Sequence, residues 1–347
     1  MRIAPWLIFV MMLAMPGENS MWTVQTSGID TNLRGMSAVR GQDAAGKTAE
    51  VVWVSGSNGV ILKSVDGGEN WKRLHVAGGD KLDFRGIRAF DALTAYAISI
   101  GSGENSRIYK TTDGGENWKL QYSDKREAFF LDDIVCASEK VCFAVSDPVD
   151  GKLLVVSTTD GERWEELPRE KMPAALPGEG AFAASGTTLA IYGDKELYIG
   201  TGGPAARVFH SADSGMTWDV TETPLLSGAA SLGIFSIFRG GDNLVVVGGD
   251  YKDLKRADRV AAYSRDKGVS WKLAEQQPGG FRSAVVSIGG RRLVAVGPSG
   301  EDVSYDAGVH WAQTDSLDLN AVVALEDGNA WAAGAKGTVA RLNLHKK

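Results

Sequence analysis

Three arginines and two carboxylates fall at equivalent points of an internal repeat in this 347-residue chain: Arg34, Arg85 and Arg282, with Asp132 and Glu179. A guanidinium group grips a carboxylate through paired hydrogen bonds, so three together predict recognition of an anionic ligand or partner. Other reactive side chains fall in segments that read as loops. Asp147 and Asp150 lie in Ser146–Lys152, Arg207 follows Gly200–Ala206, and Asp250, Tyr251 and Lys252 lie in Gly248–Asp258. Two such carboxylates would suit general acid–base work on a glycosidic bond. They would equally suit loop caps or a calcium cluster. No spacing in the chain selects among these, so no catalytic residue is assigned.

Several chemistries are poorly supplied. Four His and two Cys leave little material for a zinc site, and no metal or cofactor is expected. There is no βαβ pattern or dinucleotide fingerprint, and Gly200-Thr-Gly-Gly-Pro204 lacks the lysine and following helix of a phosphate loop. A net charge of −6 without a basic cluster argues against nucleic-acid binding. Cys136 and Cys142 lie in one hairpin and are expected to bond across it in an oxidising compartment, with a pair of half-buried thiols as the alternative.

The elements that position these groups come from a repeat. Ser64-Val-Asp66-Gly-Gly68-Glu-Asn-Trp71 returns as Thr111-Thr-Asp113-Gly-Gly115-Glu-Asn-Trp118. Further copies centre on Asp213, Asp266 and Asp306 and end at Trp218, Trp271 and Trp311, while a copy one residue shorter runs from Asp160 to Trp164. An Asp that accepts backbone N–H groups, followed by Gly, describes a stapled turn, and the Trp opens the next strand. Each unit has four apolar runs, as in Met36–Val39, Val51–Val54, Val60–Lys63 and the strand after Trp71. The last unit ends without its fourth run, which Trp22-Thr-Val-Gln25 can supply. The expected fold is all-β: a seven-bladed β-propeller whose N-terminal strand completes the last blade.

Residues 1–20 read as a secretory signal peptide, with Arg2 ahead of an apolar run from Ile3 to Met15, and residues 21–347 as the propeller. The expected location is periplasmic or extracellular, with membrane contact only through the signal segment if uncleaved. A monomer is expected. The repeats, aligned on one another, set Arg34, Arg85, Asp132, Glu179, Gly233, Arg282 and Asn320 at the starts of the innermost strands, around one channel mouth. The Asp turns fall on the opposite face. An arginine arc facing an acidic arc would suit a carboxylate-bearing ligand or a complementary protein; alternatively, these groups pair with one another and fill the pore.

The repeat resembles the bacterial neuraminidase (BNR, Asp-box) repeat of the sialidase-like superfamily. Over Trp22 to Leu344, with openings such as Asp83-Phe-Arg85-Gly-Ile87 and Gly280-Phe-Arg282-Ser283, the chain is similar to the photosystem II stability/assembly factor family. Ser146-Asp-Pro-Val-Asp150-Gly-Lys and Val247-Gly-Gly-Asp250-Tyr251 resemble its bacterial, non-photosynthetic branch. That resemblance implies a non-enzymatic scaffold in the cell envelope, holding a protein through an arginine patch that Arg34, Arg85 and Arg282 would form. The sialidase likeness implies instead a hydrolase acting on a carboxylate-bearing glycan, with Tyr251 as nucleophile. Six blades and an Arg-Ile-Pro opening, which that chemistry normally accompanies, are missing here.

Overall fold

The computed structural model describes residues 21–25, 27–42 and 46–342; the segment read as a signal peptide lies outside them. Among the described residues the strands form seven antiparallel sheets, six of four strands and one of five. This is a seven-bladed β-propeller. The inner strands of blades one to three are Leu33–Gln42, Asp83–Ala89 and Leu131–Cys136, and those of blades four to seven are Leu189–Tyr192, Ala229–Gly240, Ala284–Ser287 and Leu319–Ala324. Blade five gains its extra strand from Gly202–Gly203, which pairs with Ala229 and Gly233.

The core lies between blades, where one sheet packs on the next. Val51, Trp53 and Ile61 of blade one meet Phe84, Ile87 and Ala97 of blade two, and the pattern repeats around the ring. Continuous apolar runs are required in these strands because each sheet is covered on both faces.

The Asp turns act as mechanical staples. In the first, Asp66 Oδ1 accepts the Asn70 N–H at 3.0 Å while the Ser64 hydroxyl accepts the Gly68 N–H at 2.9 Å. The shorter copy still closes, with Asp160 Oδ1 accepting the N–H groups of Glu162 and Arg163 at 2.8 Å each. Trp218, Trp271 and Trp311 donate from the indole nitrogen to the glycine carbonyl of their own turn. Backbone bonds tie the turns to the inner hairpins, as Gly67 N–H to the Glu50 carbonyl at 3.0 Å. The turns therefore sit at the end of each blade away from the starts of the inner strands.

The ring closes through Trp22–Gln25, which pairs with Val339–Leu342 as the outer strand of blade seven. Two buried carboxylates hold this seam. Glu301 of blade six accepts from the Trp22 indole and, at 2.5 Å, from the Thr314 hydroxyl. Glu50 of blade one reaches into blade seven, accepting from Trp331 Nε1 at 2.8 Å and from Arg341 through two bonds of 2.9 Å.

Two tests follow from these contacts. Glu50→Ala removes the acceptor for Trp331 and Arg341 together, and breaking such a buried pair costs about 3 kcal/mol. Denaturant unfolding should register that loss, and an unchanged midpoint would refute a role for Glu50 in closure. The Asp266 carboxyl is held down to about 2 by hydrogen bonds from the Ser270 hydroxyl and N–H, helped by Ser264. Its contribution to stability is present above the ordinary carboxyl range and is lost as pH falls through about 2. The difference in melting temperature between wild type and Asp266→Asn should be largest near neutrality and shrink toward pH 2.

Candidate functional site

Each inner strand must turn from the connecting loop into the sheet, and five of them do so through a β-bulge. The ladder skips from Leu33 to Gly35, Phe84 to Gly86, Leu131 to Asp133, Ile234 to Ser236 and Leu319 to Ala321. The unpaired residues are Arg34, Arg85, Asp132, Phe235 and Asn320. A bulge re-aims the side chain it releases. Arg34, Arg85, Asp132 and Phe235 all line one depression of about 560 Å³, together with Asp147, Phe182, Tyr251 and Phe281.

The floor of this depression is chain rather than open channel. Segment 181–187 connects blades three and four and passes across the mouth. Arg85 Nη1 donates to the Ala183 carbonyl at 2.9 Å, Ser185 Oγ to the Ser283 carbonyl at 2.7 Å, and Ile237 N–H to the Thr187 carbonyl at 2.9 Å. The segment thereby touches blades two, five and six. Gly186 has φ +66°, and a Cβ there would crowd the Arg85 carbonyl at 3.2 Å and Gly86 Cα at 3.4 Å. Small residues are what this approach permits. Phe182 stacks on Phe235 with ring centroids 3.9 Å apart, and Tyr251 sets its ring edge against both.

The charged walls differ in state. Arg85 is bonded to Asp83 through Nε at 2.9 Å and Nη2 at 2.7 Å. Arg34 has no carboxylate at ion-pair distance among the described residues; burial and then the nearby Arg85 push its pKa down to about 10. On the adjoining blade three, Asp132 is 1% exposed and its Oδ2 has no hydrogen-bond partner. Burial, and then Asp147 and Asp133, raise its pKa well above the usual carboxylate range. Burial also pushes Asp147 up to about 6, although Oδ1 accepts the Ala181 N–H at 3.1 Å. Asp133 behind them reaches about 6 through burial, against the pull of Arg88 and the Leu189 N–H. Neither Arg34 nor Arg85 forms an ion pair with Asp132 or Asp147 among the described residues.

Several sequence expectations are corrected. Arg282 does not face the mouth: it is 0% exposed, with Nε donating to Asp302 Oδ2 at 2.6 Å. The mouth position of blade six falls one residue later in the chain. The glycine across the hairpin meets the Cα of Leu33, Ile234 and Leu319 in blades one, five and seven, and Gly297 meets Arg282 in the same way. Arg282 therefore takes the position of a core residue, and Ser283 follows it. In blade five Phe235, not Gly233, holds the mouth position. Glu179 is also buried, paired with Arg207 and accepting from the Thr201 hydroxyl at 2.6 Å and the Leu176 N–H at 2.8 Å. That pair anchors the segment below a neighbouring hollow of about 620 Å³, which shares Asp147, Ala181 and Phe182 with the first.

Ser146–Lys152 is mostly strand, closed by a two-residue turn in which Asp150 has φ 53° and Gly151 φ 76°. Asp150 points to solvent, 3.8 Å from Arg169 and away from the depression. Asp250 caps its own loop, accepting the Lys252 N–H at 2.8 Å. Cys136 and Cys142 are register partners in blade three with their sulfurs bonded and Cα atoms 4.0 Å apart. Phe182, Phe235 and Phe281 carry no reactive group that sequence alone would single out. An apolar residue at the bulge position of blade five is the signal that marks Phe235.

Residues 21–288 match the DUF6242 beta propeller domain. The chain belongs to that family. Among solved structures this propeller domain is similar to YCF48 bound to D1 peptide, at 14% identity and a TM-score of 0.66, covering 94% of this chain and 98% of that one. YCF48 from Cyanidioschyzon merolae aligns at 13% identity and a TM-score of 0.64, covering 93% and 99%. A streptogramin B lyase structure aligns at 13% identity and 0.56, covering 93% and 97%. At such identities the likeness is one of fold, which hosts both a peptide complex and a lyase. No curated protein matches the chain.

The pair Asp132–Asp147 yields a test within the propeller domain itself. The Asp147 carboxyl should titrate near 6 in a carbon-detected NMR series. Removing the neighbouring charge by Asp132→Asn should change that titration. An Asp147 curve in the ordinary range in both proteins would show that the two do not interact.

Proposed function

We propose that the chain is a binding or assembly scaffold that takes a protein segment in the mouth depression. The observation that carries this reading is the charge layout over a closed floor. Arg34 and Arg85 come from blades one and two, Asp132 and Asp147 from the adjoining blade three, and the aromatic rings of Phe182, Phe235, Tyr251 and Phe281 line the rest of the same depression. The charges are not consumed by pairing between the arginines and Asp132 or Asp147. Arg34 forms no ion pair among the described residues, and Arg85 is held in place by Asp83. Such polarised walls favour orientation and selectivity. The structure of YCF48 with D1 peptide supports a peptide as the kind of ligand. In this reading the six stapled turns are Asp-box repeats of the BNR type, as in the bacterial branch, and their part is structural. The Cys136–Cys142 bond supports an oxidising compartment, the periplasm or the cell exterior. The protein acts there as a monomer.

A second reading has one observation in its favour. Two interacting carboxyls with raised pKa beside an arginine pair could serve as acid and base in a glycan-active hydrolase. Turnover of a sialylated or uronic-acid glycan, abolished by Asp132→Asn, would establish it over the scaffold.

The scaffold reading is tested by charge reversal. The Arg34→Glu, Arg85→Glu double variant should lose at least about tenfold in recovery of whatever envelope protein cross-links to the wild type. Thermal melting of the variant separates lost binding from lost folding. Undiminished recovery by a folded double variant would remove the arginine wall from the function.

A further inference from the structure

The scaffold reading assigns the arginine wall to an anionic partner and leaves the acidic wall without a role. Two buried carboxyls side by side are costly in any fold unless neutralised or matched. Asp132 Oδ2 has no partner although the residue is almost wholly buried and lines the depression. Asp133 next to it is fully satisfied by the N–H groups of Ile134 and Leu189 and by Arg88, so burial in this region does not by itself leave a carboxyl unpaired. The open acceptor belongs to the side chain that the bulge turns toward the mouth.

We propose, resting on the scaffold reading, that the mouth is a two-headed site for a peptide segment carrying an acidic and a basic side chain together. Arg34 and Arg85 take the carboxylate, and Asp132 with Asp147 take the ammonium or guanidinium. Three features select an organic cation for the acidic wall. Among the described residues no group of three or more His, Cys, Asp and Glu could hold a metal ion. The wall adjoins the rings of Phe182, Phe235 and Tyr251, whose faces attract organic cations. An ammonium or guanidinium also brings several N–H donors to a pair of carboxyls that between them have acceptors to spare. The arginine wall forms no ion pair to these carboxyls; Arg34, which has no ion pair among the described residues, receives the ligand's own carboxylate beside Arg85, which Asp83 holds in place. A ligand with only one of the two charges would leave one wall desolvated and unmatched, which is how such a site rejects the wrong partner.

The test uses the propeller and two sets of short peptides, Ac-Asp-(Gly)n-Lys-NH2 and Ac-Asp-(Gly)n-Gln-NH2, with spacers of about one to four glycines to cover the span. Affinities are read by calorimetry at pH 7.5. At the best spacer the lysine peptide should bind about tenfold more tightly than its glutamine counterpart, the gain expected of one charge-assisted contact. The gain should vanish in the Asp132→Asn, Asp147→Asn double variant, which should bind the lysine and glutamine peptides alike. Equal affinity of the two peptides for the wild type overturns the two-headed site and leaves the arginine wall standing. If neither set binds, the mouth reading fails and the two-headed site fails with it. The wild-type comparison decides the point even where the double variant does not fold.

Discussion

Closure of the ring is the constraint from which the rest of the molecule follows. A propeller has no outer shell to hold it; each blade is retained only by its two neighbours, so one weak seam would open the whole. Here the seam is covalently continuous only through the long way round, because the outer strand of blade seven comes from the other end of the chain. Its hold is partly apolar, with Trp22 buried among Val294, Leu319 and Leu342. It is partly electrostatic, through Glu301 and Glu50. Burial pushes the Glu301 carboxyl up to about 7, against the hydrogen bond from Thr314. Glu50 meets that cost differently, by gathering Trp331 and Arg341 around a single carboxylate. The two acids stand on either side of the strand, one per flanking blade.

Closing seven blades in this way fixes the mouth. Seven inner strands converge on an axis that their own side chains do not fill, and the vacancy must be occupied by water or by chain. Segment 181–187 takes it, and its composition follows from the space: alanines, a serine and a glycine where backbones from three blades approach. The same segment carries Phe182 into the stack with Phe235, so the piece that plugs the channel also builds the floor of the depression. The bulges that start five inner strands complete the design, since they decide which residues look at that floor.

How much of this could be read from the chain depends on the length scale of the physics. The staples are local: Asp, Gly and Trp at fixed offsets determine one turn each, so six turns, seven blades and the part of Trp22 were legible. Tyr251 was legible from the long loop after the second strand of its blade. The identity of Arg34, Arg85, Asp132 and Asp147 as mouth residues was legible too, because blades one to three align without slippage. Blades four to six do not. The extra strand at Gly202–Gly203 lengthens the opening of blade five, and the long connection before Leu189 displaces Glu179 from the axis. In blade six a core position is filled by arginine, which no periodicity of apolar residues can reveal. The partners that make these placements possible, Asp302 for Arg282 and Arg207 for Glu179, come from the third strand of each blade and are reached only through tertiary pairing.

That substitution in blade six bears on the mouth. Leu33, Phe84, Leu131, Ile234 and Leu319 hold the buried place that Arg282 holds here, and a well-packed apolar residue would serve stability at least as well as a buried ion pair. What the pair supplies is geometry. Arg282 Nη1 bonds the Ser299 hydroxyl at 2.8 Å, and the Gly279 N–H reaches Asp302 at 3.1 Å, which ties the loop before blade six to its second hairpin. Phe281 is held between those two points with its ring edge on Phe235, 4.7 Å between centroids. Glu179 and Arg207 do the equivalent on the far side, fixing the segment that delivers Phe182. The two buried pairs thus flank the aromatic floor from blades four and six. Arginines and carboxylates that looked like ligands from the sequence are instead the rigid frame on which the open walls, Arg34 with Arg85 and Asp132 with Asp147, keep their separation.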